Sequence, residues 1–147
     1  MGLDMYLKGK KYLSSWNDDH KAVSEKIEAL LPVRPGRVEE IVCEAGYWRK
    51  ANAIHKWFVD NVQDGEDNCS EYCVDQSNLQ KLLELCEQVL EDNSLAEELL
   101  PAQAGFFFGG TDYDEWYFAD LKNTVEIIKP LLGEEFKSWS FYYQSSW

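Results

Sequence analysis

Residues 77–90 read SNLQKLLELCEQVL, and their spacing decides the fold class. Leu79, Leu82, Leu83, Cys86, Val89 and Leu90 recur at three- and four-residue steps, the period of one helix face. Ser77 followed three residues later by Gln80 reads as a capping box that starts the helix. A helix with one apolar stripe needs a second apolar surface to cover it. The flanking sequence offers helices and strands for that purpose.

On the N-terminal side, Leu3 to Leu7 alternates weakly and predicts a strand, with a basic turn at Lys8–Lys11 around Gly9. Asn17 or Asp18 caps a predicted helix running to Leu31, with Val23, Ile27, Leu30 and Leu31 on its inner face. Pro32, Pro35 and Gly36 end it. Val38 to Ala45 predicts a second strand, placed at a sheet edge by Glu39 and Glu40. A helix is expected from Trp48 to Val62 on a buried stripe of Ala51, Ile54 and Phe58. Tyr72 to Val74 predicts a short strand.

Beyond the central helix, Ser94 with Glu97 reads as a second capping box, and Pro101 ends that short helix. Thr111 caps a predicted long helix whose first turn carries Asp112, Asp114 and Glu115, with Tyr117, Leu121, Val125, Ile128 and Leu132 facing inward. Trp139 to Tyr143 predicts a last strand. Strands near both ends with helices between them give an α+β fold: a single domain, 1–147, with a small, mainly antiparallel sheet packed by about four helices.

Fourteen Lys and Arg against 27 Asp and Glu give a formal net charge of −13. A field of that sign repels phosphate backbones, so no direct nucleic-acid binding is expected. No apolar run reaches the roughly 20 residues of a membrane span. The first residues lack the flanks of a signal peptide, and Tyr6 stands where a myristoylation signal needs Ser or Thr. The cytoplasm is the expected location, with the four cysteines reduced. Cys69 and Cys73 form a C-x3-C pair with no second pair and no neighbouring His, so no metal site is expected. A nucleophile elbow and a P-loop are both missing from the sequence. No cofactor is expected, and the reading leans away from an enzyme.

Two segments stand out as binding candidates. In Tyr47–Trp57, YWRKANAIHKW, three cations fall within eight positions. On a helix, Trp48, Asn52 and His55 form one strip, and Arg49, Ala53 and Lys56 the next. Tyr47 and Trp48 offer rings, Arg49, Lys50 and Lys56 offer charge, and Asn52 and His55 offer hydrogen bonds. This set suits a phosphate-bearing nucleotide. The second segment is GFFFGGTDYDEW, 105–116. Three consecutive Phe cannot all face one way, so at least one points away from the core. Phe107 or Phe108 could stack on a base, Thr111, Tyr113 and Asp114 could bond polar edges, and the acidic wall suits sugar hydroxyls or a cation.

MGLDMYL at 1–7, YWRKANAIHKWFVDN at 47–61, AEELLPAQAGFFFGGTDYDEWYF at 96–118 and FYYQSSW at 141–147 resemble an uncharacterised family of small phage and prophage proteins. The resemblance covers most of the chain and implies an accessory protein acting in an infected bacterial cell. Such proteins often counter host defence, some by sequestering nucleotide signals and some as acidic decoys. The leading expectation is a non-enzymatic protein that captures a cyclic or ADP-ribose-derived signal, in a pocket that could straddle the subunits of a homo-oligomer. The alternatives are an acidic inhibitor of a nuclease or other nucleic-acid-binding defence protein, and a small hydrolase or transferase using His55 with Asp114 or Asp4. The inhibitor would present Glu25, Glu28, Glu84, Glu87, Glu91, Glu97 and Glu98.

Overall fold

Period-2 alternation makes β1 (Asp4–Tyr12) the central strand of the sheet. Met5, Leu7 and Gly9 are buried on one face, while Tyr6, Lys8 and Lys10 line the other. The computed structural model describes residues 2–147. After β1 come α1 (Asp18–Glu28), β2 (Glu40–Arg49), α2 (Asn52–Asn61), β3 (Tyr72–Val74), α3 (Gln76–Glu91), α4 (Ala96–Leu99), α5 (Glu115–Leu131) and β4 (Ser140–Ser146). The four strands form one antiparallel sheet in the order β2-β1-β4-β3. The fold is therefore α+β, with five helices among the described residues.

The expected basic turn at Lys8–Lys11 is instead the second half of β1. Alternation sends Lys8 and Lys10 to the open face, where Lys10 bonds Glu71 at 2.5 Å and lies 4.1 Å from the ring centre of Tyr142. Gly9 faces inward between them, where a Cβ would stand 3.3 Å from the Trp139 ring. A bulge between Leu7 and Lys8 absorbs the register shift against β2. β2 is the edge strand anticipated from its glutamates, but it runs to Arg49. Trp48 pairs with Met5 and Tyr47 with Tyr6. Aromatic residues suit a pleated, half-buried surface, and here sheet pairing overrides the helix expected from Trp48.

The core lies between the inner sheet face and α2, α3 and α5. Phe58 of α2 stacks on Tyr143 of β4 with ring centres 4.0 Å apart. The Ala51, Ile54 and Phe58 stripe is buried as expected, as are Leu79, Leu82, Leu83, Cys86 and Val89 of α3. Each large side chain fully buried this way contributes about 1.5–3 kcal/mol. The Trp48 indole N–H donates to Thr124 Oγ1 at 2.9 Å, tying β2 to α5.

Three cap assignments shift. Asp75 and Asn78 form the capping box of α3, two residues earlier than Ser77 and Gln80. Asp92 accepts from Ser94 and caps a 3-10 turn ahead of α4, in place of a Ser94–Glu97 box. Asp114 caps α5, and Thr111 stays in the preceding loop. In each case a carboxylate, a stronger acceptor than a hydroxyl, takes the free N–H groups. Asn17 does cap α1, accepting from Asp19 and His20. α1 ends at Glu28 rather than Leu31, and its expected apolar stripe is not buried: Val23 is exposed, and Leu30 and Leu31, beyond the helix, are 85% and 47% exposed. Glu28 is buried instead, its carboxylate accepting backbone N–H groups of Gly36, Arg37 and Val38 at 3.0–3.2 Å. It therefore leaves the exposed acidic face where it was expected.

No helix is long and apolar enough to cross a membrane among the described residues.

Candidate functional site

The chain reverses direction between β2 and α2 at Lys50, whose φ is +59°. Opposite it, Gly109 turns with φ +86°, and a Cβ there would stand 3.4 Å from the Cβ of Lys50. Two facing bends leave a hollow between them. Asn52, the first residue of α2, fixes its floor. Its Nδ2 donates to the carbonyls of Phe108 and Gly110 at 3.0 and 2.8 Å, and its Oδ1 accepts from the Gln103 N–H at 3.0 Å. Leu3 adds a second tie by donating its N–H to the Phe107 carbonyl.

The hollow is a cleft of about 310 Å³. One wall carries Arg49, Lys50 and the first turn of α2, the other Asp112, Asp114, Trp116 and Asp120. The two segments singled out in the sequence thus meet in one cleft. The start of α2 has no side-chain cap and no acidic residue in its first turn, and Asn52, Ala53 and Ile54 of that turn line the cleft. Arg49 and Lys50 are exposed and form no ion pair among the described residues. On the facing wall, Asp114 Oδ1 accepts from the N–H groups of Trp116 and Tyr117. Trp116 is 73% exposed, a free aromatic surface at the rim. Burial, reinforced by the charge of Asp114, pushes the Asp120 carboxyl up to about 6.

Of the expected site residues, Arg49, Lys50, Asn52 and Asp114 line the cleft. The rest take other places. Trp48 is buried beneath it, with its ring in the core. Tyr47 lies on the open sheet face, its hydroxyl donating to Asp4 and its ring beside Tyr6. Lys56 pairs with Asp60 one turn along α2, at 2.8 Å. Phe107 packs partly against the core and Phe108 is buried. Phe106 is the outward ring of the three, 95% exposed. Thr111 is exposed, and the Tyr113 hydroxyl accepts from the Ala102 N–H.

His55 is fully buried and does not line the cleft. Its Nε2 lies 3.0 Å from Asp67 Oδ2 and its Nδ1 2.8 Å from the Tyr143 hydroxyl. A carboxylate only accepts, so Nε2–H donates to Asp67, and Nδ1 shares a hydrogen bond with the Tyr143 hydroxyl. Burial pushes the Tyr143 hydroxyl well above its ordinary range, which keeps it protonated. The Trp147 indole donates to the other Asp67 oxygen at 3.0 Å, and Phe108 meets the imidazole edge-on. Each polar group in this chain of contacts has a partner, so His55 braces α2 against β4.

Trp116, Asp112 and Asp120 are among the cleft residues that sequence reading missed as site members. Two sat in the right segment, read there as helix-start acid and segment end. Asp120 had no signal of its own, because its role depends on α5 beginning at Glu115. Cys86, on the inner face of α3, is pushed up to about 12 by burial and is a core thiol. Comparison with family models, curated proteins and solved structures found no match to this chain.

Proposed function

We propose that this protein is a non-enzymatic binding protein that captures a small nucleotide-like ligand in the cleft between the starts of α2 and α5. One observation carries the reading: a single cleft opposes two unpaired cations and an uncapped helix start to three carboxylates and an exposed Trp. Arg49, Lys50 and the first-turn amides suit phosphate. Asp112, Asp114 and Asp120 suit ribose hydroxyls, and Trp116 offers a ring for a base. A ligand with charge at one end and hydroxyls at the other fits this polarity. A plain anion would meet the carboxylates unfavourably. The resemblance to phage proteins supports the setting: sequestration of a cyclic or ADP-ribose-derived defence signal in the cytoplasm of an infected cell.

Isothermal calorimetry with a panel of ADP-ribose, its derivatives and cyclic dinucleotides tests the reading. The parent chain is expected to bind one of them at micromolar concentration. Arg49→Glu with Lys50→Glu is expected to weaken that binding at least tenfold, about 1.4 kcal/mol. Absence of heat from every nucleotide would remove the reading's support. The exposed Glu84, Glu87 and Glu91 on one face of α3 favour the second reading, an acidic inhibitor of a basic defence protein. Salt-sensitive capture of such a protein, with no small molecule bound, would carry that reading instead.

A further inference from the structure

α1 and the loop that follows it project from the end of the sheet. α1 shares no substantial packing with any other helix or strand, and a hollow of about 380 Å³ lies between it and the ends of β1 and β2. The tip of this arm, KIEALLPVRPGR at 26–37, exposes Leu30, Leu31 and Val33 at 85%, 47% and 43%. Exposed apolar groups clustered this way mark an interaction surface. The charge at the tip is one-sided. Glu28 is its one acid, and that carboxylate is turned inward onto three backbone N–H groups. Lys26, Arg34 and Arg37 remain exposed, with no ion pair among the described residues. In a chain of net charge −13, the tip is a cationic, apolar point.

The complementary surface is on the same molecule. Between α3 and α5 runs an open groove of about 570 Å³, in which Glu84, Glu87 and Glu91 flank half-buried Leu90 and Val125. The three glutamates stand at i, i+3 and i+7, one face of α3. Among the described residues, Glu87 alone of the three has a cationic partner, Lys129 at 3.4 Å, in an exposed pair of small energetic weight. Both sheet edges discourage the other common route to self-association. The β2 edge carries exposed Glu40 and Glu44, and β3 is three residues long.

We infer that the protein self-associates, the 26–37 tip of one copy seating in the α3–α5 groove of a second. Lys26, Arg34 and Arg37 meet Glu84, Glu87 and Glu91, and Leu30 and Leu31 cover Leu90 and Val125. Reciprocal exchange of arms closes the pair as a two-fold dimer. Pro32 and Pro35 stiffen the tip, so little chain entropy is lost on seating. The nucleotide cleft lies elsewhere on the molecule, so either proposal can fail without the other.

Light scattering coupled to size exclusion on the full chain decides it. The parent is expected to run as a dimer at about 100 μM protein and about 50 mM salt, and as a monomer near 500 mM salt, where screening is strong. Arg34→Glu with Arg37→Glu is expected to give monomer at low salt, as is Glu84→Lys with Glu87→Lys. All four changes in one chain are expected to restore the dimer. These positions are exposed, so thermal melts near 500 mM salt, where the parent is itself expected to be monomeric, should match between variants and parent and separate misfolding from lost association. A parent that is monomeric at low salt overturns the inference. So does a dimer indifferent to either charge reversal, and so does failure of the four-fold variant to recover.

Discussion

Asp120 is the carboxylate of the cleft whose surroundings change its chemistry. Its ordinary carboxyl value is 3.8, and burial together with Asp114 pushes it up to about 6 in the folded chain. Between these values the folded state holds a proton that the unfolded state has released. Stability from this group is therefore present at low pH and falls as pH rises through that window. Asp120→Asn removes the titration. Melting temperature measured from pH 4 to pH 7 is expected to show the variant gaining on the parent as pH rises, with the gap levelling above the folded value. A gap independent of pH would mean that Asp120 is not held in the half-buried position described. Asn52 shows the opposite case. Its amide is fully used by Phe108, Gly110 and Gln103, so it shapes the cleft without offering it a free polar atom.

At the scale of elements, Glu28 decides the geometry of the arm. Three backbone donors hold its carboxyl below the ordinary value of 4.5. Its contribution is present above that value and is lost as pH falls through the folded one. Glu28→Gln keeps the size but gives up the charge-assisted bonds. It is expected to speed proteolytic cleavage in the 32–39 loop at neutral pH, while the parent reaches comparable rates only in acid. Equal cleavage at both pH values would contradict this.

The helix that was clearest in sequence, α3, was clear because burial and period agree over four turns. The β2–α2 junction was not legible for the converse reason. Trp48 and Arg49 fit a helix pattern equally well, and only their pairing with Asp4 and Met5 across the sheet assigns them to a strand. Alternation turns Arg49 away from the buried face that Trp48 occupies, and the positive-φ bend at Lys50, just past the strand, carries Lys50 to the cleft. For α1, the helix ends at Glu28, so Leu30 and Leu31 of the expected stripe fall beyond it, and the meaning of the stripe differed too. An apolar stripe states that a surface wants covering, not that the chain's own core covers it. The bond from His55 to Tyr143 spans 88 residues, and no local pattern carries such information.

At the scale of the molecule, charge and topology act together. A body of high negative charge keeps a cationic apolar point on the arm before β2, and a cleft lined with both signs where β2 ends. The central strand takes its partners from far apart in the chain: β1 pairs with β2 on one side and with β4 on the other. The second pairing sets Asp4 opposite Ser146 and Lys10 opposite Ser140.

That pairing leaves the ends of the described chain side by side, about 5 Å apart at residues 4 and 146, as opposed residues of an antiparallel ladder are. The backbone is thus nearly a closed loop. A circular permutant follows from it, with residues 147 and 2 joined by a short glycine-rich linker and the chain opened between Gly133 and Glu134. It would turn the most distant strand pair into a hairpin between sequence neighbours. Stopped-flow refolding is expected to quicken, because loop closure no longer spans the whole chain, while the equilibrium fold persists by circular dichroism.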